Sequence, residues 1–326
     1  MKKTLSLIAG LLLTTSQLMA VDNNTVEIAY SGTSATVAVA DNIASYVTVT
    51  KSGAHVTVVQ TNTANIDNAE ITYLLSGTST DGEFYLTGSY KCTVSLNGLT
   101  LTNPKGAAIT IMDGKRVKVK TETDTNNTLV DGSGGSQKGC LYVKGHLELR
   151  GYGTLNVTGN TKHGIKSGEY MSVKNITVNV LSAVGDGMNC NEYFLMESGT
   201  VSITKAGDDG IQIDIDNASG TPTAASDDLH TDEDTGNFYQ TGGTLNIALA
   251  TTSAGKLIKA AGEESHTGGT YNGTSYDTGI GQLTATTPGT SLTGIYDLGG
   301  RRLSGLVGKG ISIINDNGKT TKVYSK

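Results

Sequence analysis

The sequence predicts an all-β protein, a right-handed parallel β-helix with coils of 23 residues, and three observations carry that prediction. First, a four-residue pattern recurs: His163-Gly164-Ile165-Lys166, Asp186-Gly187-Met188-Asn189 and Asp209-Gly210-Ile211-Gln212 begin 23 residues apart. Second, Leu155-Asn156-Val157, Val178-Asn179-Val180 and Val201-Ser202-Ile203 keep the same step. A fixed period of this length signals stacked structural repeats. Third, apolar and polar residues alternate inside each unit, which is the period of a strand. Antiparallel sandwiches do not repeat so strictly. Leucine-rich repeats share the period, but their Leu and Asn signature is missing.

The elements follow in order. Residues 1–20 read as a secretory signal peptide: Lys2 and Lys3, then an apolar core from Leu5 to Leu13, then a cleavage point after Ala20. That core is too short to span a bilayer as a helix. The expected localisation is therefore secreted or cell-surface. Residues 21–75 alternate like strands but miss the register, and read as an N-terminal cap or first irregular coils. The solenoid is expected over 76–266. Strands are predicted at Phe84-Tyr85-Leu86, Thr93-Val94-Ser95-Leu96, Ala108-Ile109-Thr110-Ile111 and Val117-Lys118-Val119-Lys120. Asp124 to Gln137 reads as a loop that interrupts the period, and Leu147-Glu148-Leu149 restarts it. Asn217 to Gly236 is an insertion, after which Gly242-Gly243-Thr244-Leu245 resumes the pattern. Residues 267–293 are Gly-, Thr- and Ser-rich and read as an irregular end and linker. A small β module closes the chain over 294–326.

Composition agrees: Gly is high at 43, Pro low at 3 and Trp absent, which suits many short strands joined by tight turns. The formal charge of −6 becomes −8 once Lys2 and Lys3 are removed. A nucleic-acid binder would carry a basic surface, so that class is set aside. Cys140 and Cys190 lie about two coils apart, which at roughly 4.8 Å per coil is beyond disulfide reach. They read as buried apolar residues.

The acids are concentrated. Between residues 181 and 240 there are 12 acids and 1 base, Lys205. Stacking at the repeat period places Asp186 over Asp209 and Asn191 over Asp214, with Asp208 and Asp216 beside them. Like charges this close raise each other's pKa unless neutralised. Ca²⁺, which takes several oxygen ligands in flexible geometry, would neutralise them. The candidate metal ligands are Asp186, Asn189, Asn191, Asp208, Asp209, Asp214 and Asp216, and Asp227 and Asp228 of the insertion are placed to add to the site. The alternative is a solvated acidic face.

Lys105, Lys115, Arg116, Lys118, Lys120, Lys138, Lys144, Arg150, Lys162, Lys166 and Lys174 are expected on a basic face beside the acids, suiting an acidic polysaccharide. Glu169-Tyr170 and Glu192-Tyr193 recur one period apart, followed by Phe238-Tyr239. Facing outward, these rings make a platform for sugars; facing inward, a buried ladder. The candidate carbohydrate-binding residues are Lys138, Lys166, Tyr170, Tyr193, Asp227 and Asp228. No nucleophile triad or paired-carboxylate spacing stands out. One enzymatic alternative remains: Lys166, stacked over Asn189 near Asp186, as the general base of a pectate-type lyase. A purely structural solenoid is a third reading.

Gly185-Asp186-Gly187-Met188-Asn189, Gly199-Thr200-Val201-Ser202-Ile203 and Gly207-Asp208-Asp209-Gly210-Ile211-Gln212-Ile213-Asp214 together resemble the bacterial carbohydrate-binding domain-containing family. Val94-Ser95-Leu96-Asn97-Gly98-Leu99-Thr100-Leu101 and Asn127-Thr128-Leu129-Val130-Asp131-Gly132 fit it too, so the likeness covers roughly residues 75 to 265. It implies a secreted, pectate-lyase-like β-helix with Ca²⁺ sites that binds cellulose or pectic acid. Tyr296-Asp297-Leu298-Gly299-Gly300-Arg301 and Lys309-Gly310-Ile311 resemble a short C-terminal sorting module of type IX secretion, which implies that secretion machinery as a partner.

Overall fold

The computed structural model describes residues 21–216, 223, 233–272, 274–276, 294–296, 302–303, 310–316 and 319–325. The signal segment 1–20 and most of the 217–236 insertion, Asp227 and Asp228 included, lie outside the described residues.

The chain winds as predicted, in three short strands per coil. Gly139–Val143, Leu147–Gly151 and Thr154–Gly159 form one coil. His163–Ser167, Met171–Lys174 and Thr177–Ala183 form the next. Met188–Asn191, Tyr193–Met196 and Thr200–Ala206 form the third. Each strand pairs in parallel with its equivalent one coil away, so three faces arise. The first is a nine-stranded sheet running from Val47–Ser52 to Ile258–Ala260. The second and third share one 17-stranded sheet.

Inward positions stack into apolar columns. Leu155, Val178, Val201 and Leu245 align on the third face. Ile109, Leu141, Ile165, Met188, Ile211 and Ile258 align on the first. On the second, Phe194 stacks on Phe238 with ring centroids 5.3 Å apart. Each such side chain contributes about 1.5–3 kcal/mol by leaving water, and each needs the coil above and below to do so. Cys92, Cys140 and Cys190 are free and buried among them.

Three boundaries differ from the sequence reading. Residues 21–75 hold two antiparallel hairpins, Thr25–Ser31 with Ser34–Val39 and Val47–Ser52 with Ala54–Gln60. Their strands already pair in parallel with Ile71–Ser79 and Gly82–Thr87, so cap and first coil are one structure. Within the stretch read as a loop, Asn126–Asp131 is a strand, paired in parallel with both Cys92–Asn103 and Thr154–Gly159. Its inward residues include polar Asn127 and Asp131, which hid the alternation. Asn127 Oδ1 accepts from the Leu99 N–H at 2.9 Å, and its Nδ2 donates to the Thr154 carbonyl at 3.1 Å, so burying it leaves these groups satisfied. The stretch read as a linker begins too early, since Gly269–Tyr271 adds to Thr244–Leu249 and then pairs antiparallel with Thr274–Tyr276.

At the C-terminus, Gly294–Tyr296, Arg302–Leu303, Gly310–Asp316 and Lys319–Ser325 form a four-stranded antiparallel sheet. Among the described residues, no helix is long and apolar enough to cross a membrane.

Candidate functional site

The four-residue repeat explains itself at the turn entering the first face. Its second residue is Gly because the backbone is crowded there. A Cβ on Gly187 would lie 2.6 Å from Ile203 Cγ2 and 2.7 Å from the Gly210 carbonyl oxygen. Its third residue points inward and its fourth outward. Its first residue is a side-chain acceptor for the coil above. The Asp186 N–H donates to His163 Nδ1 at 3.2 Å, the Asp209 N–H to Asp186 Oδ1 at 3.1 Å, and the Lys256 N–H to Asp209 Oδ1 at 2.7 Å. Burial first, then Lys162 and Lys166, pushes His163 down to about 3. It is therefore neutral, with Nδ1 free to accept, and its 3.2 Å approach to Asp186 Oδ2 is not an ion pair.

The seven predicted metal ligands fall into two groups, not one vertical cluster. Asp186, Asp208 and Asp209 form the first, with one oxygen of each within 4.8 Å of the others. Asp186 and Asp209 are buried and Asp208 is exposed. Burial, and behind it the charges of Asp209 and Asp208, push the Asp186 carboxyl up against the opposing pull of its hydrogen bonds. A base does reach this group, from beyond the insertion. Lys259 Nζ lies 2.9 Å from Asp209 Oδ2, and that contact holds the Lys259 pKa above its ordinary value.

Asn191, Asp214 and Asp216 form the second group at the far end of the same strands. Lys166 Nζ donates to Asn189 Oδ1 at 2.6 Å and Asn191 Oδ1 at 2.9 Å. Asn191 Nδ2 donates to Asp216 Oδ1 at 2.6 Å, while Gln212 Nε2 holds both oxygens of Asp214 at 2.9 Å. Asn189 joins the two groups, because its Nδ2 donates to Asp186 Oδ2 at 2.6 Å. Burial lowers the Lys166 pKa; Lys138 adds to that, while Asp214 and Asp216 oppose it. Each oxygen-rich group thus already holds one lysine ammonium.

The expected single basic face is two. Lys138 and Lys166 belong to the first face, where Lys138 Nζ sits 5.5 Å from the centre of the Tyr142 ring. Lys118, Lys120, Arg150 and Lys174 lie on the second, because Glu148 registers with Lys118 and Arg150 with both Lys120 and Lys174.

Tyr170 and Tyr193 are buried and stack on each other at 4.9 Å, but they alternate with the inward Met171 and Phe194 and lie outside the apolar core, so they form a ladder on the outer side of the turn that neighbouring side chains cover, neither an open platform nor a rung of the core. Phe238 does not continue it. Phe238 registers with Phe194, and Tyr239 with Leu195, but the Tyr239 ring still lies 6.5 Å from that of Tyr193, tilted at 59°. The ladder starts at His146, 4.3 Å from Tyr170, a residue the sequence reading passed over. His146 Nδ1 lies 2.9 Å from Glu169 Oε2 and Nε2 lies 3.4 Å from Glu192 Oε2. Despite burial, these two carboxylates raise His146 to about 9. The sequence signal was available: Glu169 and Glu192 sit one period apart, and His146 one period before Glu169.

Comparisons with known proteins agree with this architecture. A family model described as "Carbohydrate-binding domain-containing protein" matches residues 45–297. A curated protein with the same description, from Acetivibrio thermocellus, is 27% identical over 118 residues, covering 32% of this chain and 41% of the relative's length. A solved structure, a polysaccharide lyase-like protein from C. thermocellum in a gadolinium derivative, superposes with a TM-score of 0.54 at 20% identity. It covers 76% of this chain and 99% of that one.

Proposed function

The chain belongs to the carbohydrate-binding domain-containing family, and from that premise we propose that it is a secreted or cell-surface protein whose first face binds an acidic plant cell-wall polysaccharide with the help of Ca²⁺. The observation that carries this reading is the division of the site. Asp186, Asp208 and Asp209 converge within 4.8 Å at one end of the face. Lys166, Asn189, Asn191, Asp214 and Asp216 line the rest of its outer surface.

The first group suits a hard cation. All its donors are carboxylate oxygens, the buried Asp186 is held in a state that disfavours its charge, and Lys259 is an exposed, displaceable ammonium. Asp186, Asp208 and Asp209 would hold the ion, and Ca²⁺ would supply positive charge to a uronate carboxylate. Lys166 would then contact the same polymer, with Asn189 and Asn191 fixing its position. Cellulose is the alternative polymer. Export by signal peptide and type IX machinery belongs to the same proposal.

A thermal melt with excess Ca²⁺ and with chelator tests the ion. A hundredfold excess over Kd should stabilise the fold by about 2.7 kcal/mol, and Asp208→Asn with Asp209→Asn should abolish the shift. An unchanged wild-type midpoint would remove calcium from the proposal. A glycan array with and without Ca²⁺ tests the ligand.

The lowered pKa of half-buried Lys166 favours one second reading, a lyase in which Lys166 takes the proton next to the uronate carboxylate. Unsaturated products absorb in the ultraviolet. If wild-type protein makes none from polygalacturonate, that reading ends; if it does, Lys166→Ala should stop it.

A further inference from the structure

The second face carries an arrangement that the first-face site does not use. Lys120, Arg150 and Lys174 occupy one outward column on three consecutive coils. Lys118 lies on the neighbouring outward column. Strand spacing sets such a column at about 4.8 Å per step. Like charges at that separation repel unless something holds them, and four glutamates do. Glu122 lies 3.0 Å from Lys120, and Glu148 lies 2.9 Å from Arg150. Glu197 lies 2.8 Å from Lys174 and 3.8 Å from Arg150, while Glu70 lies 3.4 Å from Lys118.

The acids sit deeper than the bases. Glu148 is 17% exposed against 30% for Arg150, and Glu197 is 31% exposed against 43% for Lys174. The glutamates therefore fix the cations from below, and the cations make the outer layer. Beside them the surface dips into an open depression of about 280 Å³, lined by the four cations, Gly151, Tyr152 and Asn175.

Tyr152 is the most exposed large apolar residue among those described, at 66%. Its ring is held in place, because Asn175 Nδ2 donates to its hydroxyl oxygen at 3.3 Å. Asn175 is in turn fixed by Ser198, whose Oγ donates to Asn175 Oδ1 at 2.8 Å and accepts from the Asn175 N–H at 3.0 Å. Two residues on the next two coils, Asn175 and Ser198, are thus spent on holding one aromatic ring in solvent, which calls for an occupant. An exposed ring with a polar tip stacks on the apolar face of a pyranose. Each of these cations is already paired with a glutamate, so the patch has little net charge; what it offers a polymer with one carboxylate per sugar is one set of ammonium or guanidinium donors per coil, in the outer layer.

We infer that this depression and column form a second polysaccharide site, for a linear carboxylated glycan lying along the axis of the solenoid, with one sugar stacked on Tyr152 and successive carboxylates on Lys120, Arg150 and Lys174. The inference rests on the reading that the protein binds polysaccharide, and places a separate contact a face away from the calcium group. Two faces engaging one polymer network raise the effective concentration of each for the other.

The test is affinity electrophoresis of the full chain in polygalacturonate and in its fully methyl-esterified form, which keeps the backbone and loses the charge. Two variants are used: Tyr152→Ala, and Lys120→Glu with Lys174→Glu, each checked for an unchanged thermal midpoint. Calcium is chelated throughout, which silences the first-face group. Wild-type protein should be retarded by polygalacturonate, less so as NaCl rises and little by the ester. Each variant should bind about tenfold more weakly, the loss of about 1.4 kcal/mol of contact. Undiminished retardation of both variants would overturn this site while leaving polysaccharide binding in place. Equal retardation by the ester would overturn the charge argument. A wild-type protein that polygalacturonate does not retard under chelation would overturn this site, and one that it still does not retard in a second run with Ca²⁺ restored would end both readings.

Discussion

The first and second faces handle carboxylates in opposite ways. At the turn into the first face, Asp186 and Asp209 are buried and accept backbone N–H groups from the next coil. On the second face, Glu70, Glu122, Glu148 and Glu197 are partly exposed and answer lysine and arginine side chains. A buried acceptor serves the fold first, because the N–H it satisfies would otherwise be stranded at a cost of about 1–3 kcal/mol. An exposed ion pair contributes about 1 kcal/mol or less, because water and salt compete for both charges. A carboxylate is structural on one face and a positioning device on the other. Burial, rather than sequence identity, decides which.

Substitutions can break this comparison. Asp186→Ala strands the Asp209 N–H and the Asn189 amide in a buried turn, and should cost about 3 kcal/mol in urea unfolding. A loss under about 1 kcal/mol would mean the turn is held otherwise. Gly187→Ala drives a methyl group into Ile203 and the Gly210 carbonyl, and should cost about 2 kcal/mol.

His146 has a folded pKa of about 9 against an ordinary value of 6.5, so its folded form holds the proton more tightly. Its contribution is present in full below pH 6.5 and is lost as pH rises through about 9. The groups facing it are Glu169, Glu192 and the Tyr170 ring. The thermal midpoint should fall across that window, and His146→Gln should flatten the fall. A variant that keeps the full slope would show that other groups titrate there. The smallest effect should come from the second face: Glu197→Ala should cost about 0.5 kcal/mol, and a loss above about 2 kcal/mol would erase the distinction between the faces.

Much of this was legible in the sequence, for a physical reason. In a parallel solenoid the repeat period is also the stacking rule, so Asp186 over Asp209 and Lys166 over Asn189 follow from counting. Counting failed where the coil length changed. Lys259 reaches Asp209 only because the chain resumes its register beyond the insertion, and the count does not say at which residue. It also failed where the inward residue was polar. Asn127 and Asp131 look like loop residues until Leu99 and Asn160 are seen to supply their partners. The two-group division of the acids was hidden for a third reason. A strand of four residues, Ile211–Asp214, separates Asp209 from Asp216, and sequence proximity masks that distance.

The ladder of side-chain acceptors at the first-face turn has a direction. His163, Asp186 and Asp209 each receive an N–H from the coil that follows, and the series ends at Lys256, whose side chain can only donate. A coil folded in this way presents a prepared acceptor to the next. The donor at Lys256 is then punctuation. It leaves the final coil without such an acceptor to offer, and the antiparallel strand Thr274–Tyr276 lies over the third-face edge there. On that face, an edge so closed offers less to a second molecule that would lengthen the stack. The repeat that builds the protein thus carries its own instruction to stop.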